Sequence, residues 1–290
     1  MFEGFKESMI DTGETVIRTR HGGGGPPLLL LHGNPQTSAM WHKVAPRLAE
    51  TFTVVATDLR GYGESGKPPS TPDHAPYSKR AMALDQVAVM RRLGYERFLV
   101  AGHDRGARVA YRMALDHPER VLRLAVLDVI PTGEALRRAN MDFALGYWHW
   151  FFLAQREDLP EALMGQNPDE YWFRHTSREP KDRDFFGAAL EEYLRAFRNP
   201  ATRHAICEDY RAAVTVDFAH DEADRSAGRR IRCPVLALWG GKGKLESWYD
   251  VLAIWRDWAD DVRGRPIACG HYIPEEAPDE TYAELRAFCA

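Results

Sequence analysis

The run Val100-Ala101-Gly102-His103-Asp104-Arg105-Gly106 constrains the fold of this chain most. Apolar and small residues lead into a sharp turn, and a helical pattern follows from Ala107 through His117. A strained strand-to-helix turn of this kind pushes the side chain at its tip, here Asp104, into an active site. Gly102 and Gly106 leave room for the tight turn. A carboxylate nucleophile is already ionised at neutral pH and needs no base to attack. It can displace a leaving group from a saturated carbon, such as a carbon–halogen or epoxide bond, giving an ester that water must then hydrolyse. Ordinary ester cleavage is disfavoured on the same ground. The pentapeptide Gly-x-Asp-x-Gly alone serves equally for an Asp that caps the next helix, so the residues in register with it decide.

Apolar runs place the strands. Thr15 to Thr19 reads as an early strand, and Leu28 to Leu31 as one buried on both faces of a sheet. A helix is expected from Met40 to Ala49, with Trp41, Val44 and Leu48 on one face. Thr53 to Ala56 forms a strand ending at Thr57-Asp58, and Ser78 caps a helix running to about Leu93. Phe98 to Ala101 leads into the turn, Leu122 to Leu127 ends at Asp128, and Pro234 to Trp239 and Pro266 to Ala268 are the late strands. Strands alternating with helices imply a mostly parallel central sheet with helices on both faces. Gly22-Gly23-Gly24-Gly25 precedes a strand, where a phosphate-binding loop would follow one, so it reads as a turn.

The rhythm stops between about Pro131 and Ala227, a helix-like stretch opening on the aromatic run Tyr147-Trp148-His149-Trp150-Phe151-Phe152. The expected fold is therefore α/β, of the α/β-hydrolase type. Residues 1–130 and 228–290 form its core domain, and an inserted helical cap, 131–227, covers the carboxyl ends of the strands, where open α/β sheets bind ligands. The 290 residues, 44% apolar, supply ample core for this. A net charge of −4 leaves no electrostatic footprint for nucleic acid. No apolar stretch reaches the roughly 20 residues that span a membrane, and residues 1–20 lack the apolar segment of a signal peptide. Cys207, Cys233, Cys269 and Cys289 are scattered and read as reduced thiols, which fits a cytoplasmic location.

Hydrolysis of an ester on Asp104 needs a general base. His271, in Cys269-Gly270-His271-Tyr272 after the last strand, stands in the expected place. It needs an acid to fix its tautomer, and Asp128, at the end of a buried run, is preferred over Asp250 and Glu246. The tetrahedral intermediate needs backbone donors, for which the N–H groups of Asn34, in His32-Gly33-Asn34-Pro35, and of Arg105 are candidates. Arg105 and Arg108 share a face at a helix N-terminus, where the helix dipole disfavours cations. An anionic substrate held by the pair explains them, since Arg grips carboxylates in two places. The competing reading pairs them with acids such as Asp128 or Asp58. His149 and Trp150, with Tyr210 from Cys207-Glu208-Asp209-Tyr210-Arg211, offer donors for a departing halide, although aromatic clusters also form for packing alone.

These residues together resemble the haloacetate dehalogenases, the fluoroacetate dehalogenases among them, of the α/β-hydrolase superfamily. The resemblance covers nearly the whole chain. It runs through His32-Gly33-x-Pro35-Gln36-Thr37, Asp58-Leu59-Arg60-Gly61-Tyr62-Gly63 and Gly102 to Arg108. It continues in Arg112 to Pro118, Leu127-Asp128, Trp148 to Phe152, Cys207 to Ala212, Leu238-Trp239-Gly240 and Gly270-His271. It implies that Asp104 attacks the α-carbon, Arg105 and Arg108 hold the carboxylate, and His149, Trp150 and Tyr210 bind the leaving halide. It also implies that His271, oriented by Asp128, activates the hydrolytic water. The products are glycolate or another 2-hydroxy acid and a halide ion, no cofactor or metal is required, and a homodimer is expected. Many members carry Phe where this chain has Asn34. An Asn there either enlarges the pocket, adds a halide donor or bonds locally. Haloalkane dehalogenases usually carry Trp after the nucleophile, where Arg105 stands, and the cap tyrosines of epoxide hydrolases suit their chemistry better than His149-Trp150. A haloalkane dehalogenase, an epoxide hydrolase and a non-catalytic binder of a small organic acid are the rival readings.

Overall fold

Leu28 to Leu31 are completely buried, and the strand they form, Pro27–Leu31, lies deep inside an eight-stranded sheet. The computed structural model describes residues 1–156, 158–176 and 183–290. Its strands are β1 (Lys6–Asp11), β2 (Val16–Gly23), β3 (Pro27–Leu31), β4 (Thr53–Thr57), β5 (Phe98–His103), β6 (Val121–Leu127), β7 (Val235–Gly240) and β8 (Val262–Ile267). They are ordered β1-β2-β4-β3-β5-β6-β7-β8. Only β1 and β2 pair antiparallel to their neighbours; from β4 through β8 every pair is parallel. Continuous apolar runs such as Leu28–Leu31 and Leu124–Leu127 suit this arrangement, because helices cover both faces of a parallel sheet.

Four elements differ from the expectation, among them β2, which runs four residues past Thr19 and takes Gly22 and Gly23 of the expected turn into its pairing with β4. The helix expected over Met40–Ala49 is two short pieces, Ser38–Trp41 and Ala45–Leu48. Pro46 is the reason: it has no N–H to give to the preceding turn, so a continuous helix breaks there. Strand β1 has no apolar signature in the sequence because it is a charged edge strand, Lys6-Glu7-Ser8-Met9-Ile10-Asp11, with no buried residue. Strand β8 begins four residues earlier than expected, at Val262, and carries Arg263, Gly264 and Arg265 along the opposite edge of the sheet. Ser78 does cap the helix Lys79–Arg92, accepting from the Ala81 N–H at 3.2 Å. Gly22 and Gly23 end β2, and Gly24 and Gly25 lie in the turn to β3.

Every described element between β6 and β7 is helical. This stretch is tied to the sheet layer by buried ion pairs. Arg112, on the helix Arg105–Asp116, bonds Asp221 at 2.7 Å and Asp224 at 2.5 Å. No described helix is long and apolar enough to cross a membrane, and the four cysteines are unpaired. The turns after β3, β5, β6, β7 and β8 all open at the carboxyl edge of the parallel strands, which is where the candidate site forms.

Candidate active site

Asp104 occupies the turn between β5 and the helix Arg105–Asp116 with φ 47° and ψ −117°. A non-glycine residue at positive φ is strained, on the order of 1–3 kcal/mol, and is held only by its surroundings. The Asp104 N–H donates to Leu127 O at 3.1 Å, and the Arg108 N–H returns to Asp104 O at 3.2 Å. The turn is sterically closed. A Cβ on Gly106 would lie 2.4 Å from His32 O, and one on Gly33 would lie 2.5 Å from the Asp104 Cβ. The side chain of Asp104 makes no cap bond to its helix, so the capping reading fails. Its Oδ1 instead accepts the Asn34 backbone N–H at 3.0 Å.

His271 faces it. Nε2 of His271 lies 4.0 Å from Asp104 Oδ2, and Nδ1 lies 2.5 Å from Asp128 Oδ2. Asp128 is fixed by the Gly240 N–H, which donates to its Oδ1 at 2.8 Å. The two rivals for its place are engaged elsewhere: Asp250 caps Ala253 N at 2.9 Å, and Glu246 accepts from the Trp239 indole. Burial opposes the charged imidazolium of His271, but the Asp128 bond and charge, followed by Asp104, raise its pKa above the ordinary value. Burial likewise opposes the Asp104 carboxylate, yet His271, then His103, Arg105 and Arg108, hold its pKa well below the usual range. Asp104 is therefore an anion throughout the neutral range.

A cavity of about 450 Å³ lies over this pair, lined among others by Arg108, His149, Trp150, Tyr210 and Asn34. Arg108 is 3% exposed, and its Nη1 donates to Ile130 O at 3.0 Å and Thr132 Oγ1 at 3.1 Å. Among the described residues no acidic side chain pairs with it. Its guanidinium also stands 4.5 Å from the Trp150 ring. Burial, then the like charge of Arg105, lowers its pKa, while Asp104 opposes them.

Arg105 is placed differently. It is fully buried behind Tyr210 and Trp150, with its guanidinium 4.2 Å and 5.5 Å from their rings. Nε and Nη2 are engaged by Asp209, which also accepts from Lys79 and, at 2.7 Å, from Tyr62. Nη1 has no partner. An acid does compensate one arginine, then, but it is Asp209, not Asp128 or Asp58. Asp58 serves Arg18 and the Ser38 N–H.

His149 and Trp150 have no side-chain hydrogen-bond partner among the described residues, and burial keeps the His149 imidazole neutral. Sequence reasoning did not single out Asp209, His175, Tyr147, Lys242 or Lys244. His175, Tyr147 and the two lysines line the cavity. Asp209 was visible beside Tyr210 in the quoted run, but only the fold shows which cation it meets. His175 carried no local signal: it ends the helix Pro168–His175 and reaches Asn34 across 141 residues of sequence.

Known proteins resemble this chain over most of its length. The family model for the alpha/beta hydrolase fold matches residues 26–278. A fluoroacetate dehalogenase from Burkholderia sp. is 45% identical over 294 residues, covering 99% of this chain and 95% of its own. A solved structure of a proposed alpha/beta hydrolase from Nostoc sp. PCC 7120 is 56% identical, with a TM-score of 0.96 and 99% of both chains covered. A proposed epoxide hydrolase from Pseudomonas aeruginosa is 48% identical, with a TM-score of 0.93, covering 99% of this chain and 96% of its own. The chain belongs to the alpha/beta-hydrolase fold family, among relatives that include a fluoroacetate dehalogenase.

Proposed function

We propose that this protein is a hydrolase acting on carbon–halide bonds, converting a haloacetate to glycolate and halide through an ester on Asp104. The observation that carries this reading is Arg108. It is a buried cation on the cavity wall with no acidic ion-pair partner among the described residues, beside a carboxylate already fixed as an anion. An uncompensated buried charge is costly. A substrate carboxylate compensates it, whereas a haloalkane or an epoxide leaves it unpaired. In this reading the helical stretch 131–227 acts as the cap that closes the site and lowers His149 and Trp150 over Asp104.

The steps follow from the positions. A carboxylate oxygen of Asp104 attacks the α-carbon while the carbon–halogen bond breaks on the far side. Arg108, with the free Nη1 of Arg105 behind it, orients the substrate carboxylate. His149, Trp150 and Tyr210 donate to the departing halide. Water then gives a proton to His271 Nε2 and attacks the acyl carbon of Asp104. The oxyanion forms at the Asn34 N–H and at the Arg105 N–H, which opens a helix and lacks an intrahelical acceptor. Collapse releases glycolate, whose oxygen takes the proton back from His271, and the Asp104 carboxyl left behind gives its own proton to solvent, which restores the anion.

The charge balance also times the base. In the resting site the Asp104 anion helps to keep His271 protonated. Alkylation neutralises Asp104, so the His271 pKa falls when a neutral imidazole is needed. The acid limb of turnover follows the protonation of His271, which removes the base. Asp128 raises that pKa, so Asp128→Asn is expected to move the acid limb to lower pH while slowing turnover. A rate–pH profile checks it; an unmoved limb removes His271 from the base role.

Halide release from fluoroacetate, chloroacetate and an uncharged haloalkane, measured side by side, tests the reading. Release from the acids alone is expected. Release from the haloalkane alone would keep Asp104 as nucleophile and reject the anion-binding role of Arg108. Release from none would reject the dehalogenase reading.

A further inference from the structure

Three elements meet at the Asn34 side chain. Asn34 follows β3, His175 ends the helix Pro168–His175, and Tyr210 lies in the helix Pro200–Ala212. Asn34 Nδ2 is 3.0 Å from His175 Nε2 and 3.4 Å from the Tyr210 hydroxyl. The Asn34 Oδ1 and His175 Nδ1 atoms are buried without hydrogen-bond partners among the described residues. An amide nitrogen carries two hydrogens, and a hydroxyl has one proton besides its lone pairs.

We propose that Asn34 and His175 form a positioning pair that turns the Tyr210 hydroxyl proton toward the leaving halide. One Nδ2 hydrogen goes to His175 Nε2, which pins the amide and assigns His175 the Nδ1–H tautomer. The other goes to the Tyr210 oxygen. A hydroxyl whose oxygen already accepts a hydrogen bond directs its own proton away from the donor, and the relayed polarisation strengthens it as a donor. Burial keeps His175 neutral, with a pKa lowered to about 4, so Nε2 stays available as an acceptor across the neutral range. His149, whose ring centre is 4.7 Å from that of His175 and 5.8 Å from that of Tyr210, occupies the adjoining wall. The pair thus places the Tyr210 donor beside the His149 imidazole.

This inference rests on the haloacetate reading and deepens it, because it concerns which halide leaves well. Fluoride is the smallest and most strongly accepting of the halides and depends most on donors. The test compares kcat for fluoroacetate and bromoacetate in Asn34→Leu, Tyr210→Phe and the double variant, with His175→Gln and His175→Leu alongside. Asn34→Leu keeps the backbone N–H and removes only the side-chain donor. It is expected to lower kcat for fluoroacetate about tenfold more than for bromoacetate, the scale of one hydrogen bond to a charged group, with KM little changed. In the Tyr210→Phe background it is expected to add nothing, since residues acting through one another are non-additive. His175→Gln, which retains an acceptor, should keep the fluoride-to-bromide ratio near that of the unaltered chain, and His175→Leu should match Asn34→Leu. Equal losses on both acids, full additivity with Tyr210→Phe, or a rise in fluoride release would each overturn the proposal. A rise would mean that the amide takes the Tyr210 proton. No release from either acid by the unaltered chain would overturn the haloacetate reading as well, which separates the two failures.

Discussion

His271→Gln is expected to release one halide per site and then stop. The displacement step needs only the Asp104 anion, the oriented substrate and the halide donors, and none of these depends on the imidazole as a base. With its proton acceptor gone, hydrolysis of the ester slows by roughly 10²–10⁴, the usual contribution of a positioned acid–base group. Halide release by this variant should therefore show a burst that matches the enzyme concentration, followed by a near-flat line. The Asp104 carboxylate remains ionised in the variant. Losing His271 removes the largest charge that holds its pKa down, but Arg105 and Arg108 remain. Halide release measured at several enzyme concentrations checks it. A slow steady rate with no burst would mean that His271 acts before the carbon–halogen bond breaks.

Asp209→Ala is expected to be the most destabilising single change near the site. Arg105 and Asp209 are both fully buried, and Lys79 is 1% exposed and shares the same carboxylate. Removing one partner of a buried ion pair leaves the others uncompensated, at a cost of about 3–5 kcal/mol. For a chain of this size that corresponds to a fall in Tm on the order of 10 °C. Turnover should fall as well, because the released Arg105 guanidinium is free to turn toward Asp104 and mask it. The pH dependence has a definite sign. Burial alone would raise the Asp209 pKa, but Arg105 and then Lys79 bring it down to about 2. A depressed carboxylate contributes its full stabilisation above the unfolded value near 3.9, and loses it as pH falls toward 2. Thermal unfolding of Asp209→Ala against the unaltered chain should thus show a large gap at pH 7 that narrows below about pH 4. A gap of less than a few degrees at pH 7 would mean that Arg105 finds another partner.

The parts of this molecule that were readable from sequence are those with a local physical signature. The buried parallel strands are unbroken apolar runs, and the Asp104 turn is marked by two glycines whose absent side chains leave the only room for it. Asp128 was locatable because it follows such a strand, and His271 because it comes after the last strand of the chain, although 143 residues separate them. Edge strands carry no such signature: β1 and β8 are charged and half-solvated, so neither shows a buried run. Partnerships set by packing were equally hidden. The two arginines of the elbow helix look alike in sequence, yet one meets Asp209 across 104 residues and the other pairs with no acid among the described residues. The Asn34–His175 contact depends on how the helical stretch docks over β3, which no periodicity encodes.

Every later step of turnover depends on the covalent ester on Asp104, and the mass of the peptide that bears Asp104 reads it out. His271→Gln is incubated with excess fluoroacetate, quenched in acid and digested. One carboxymethyl group is expected on the carboxylate of Asp104, in an amount equal to the halide released in the burst. A full burst with an unmodified Asp104, or with the added group on another residue, would contradict it.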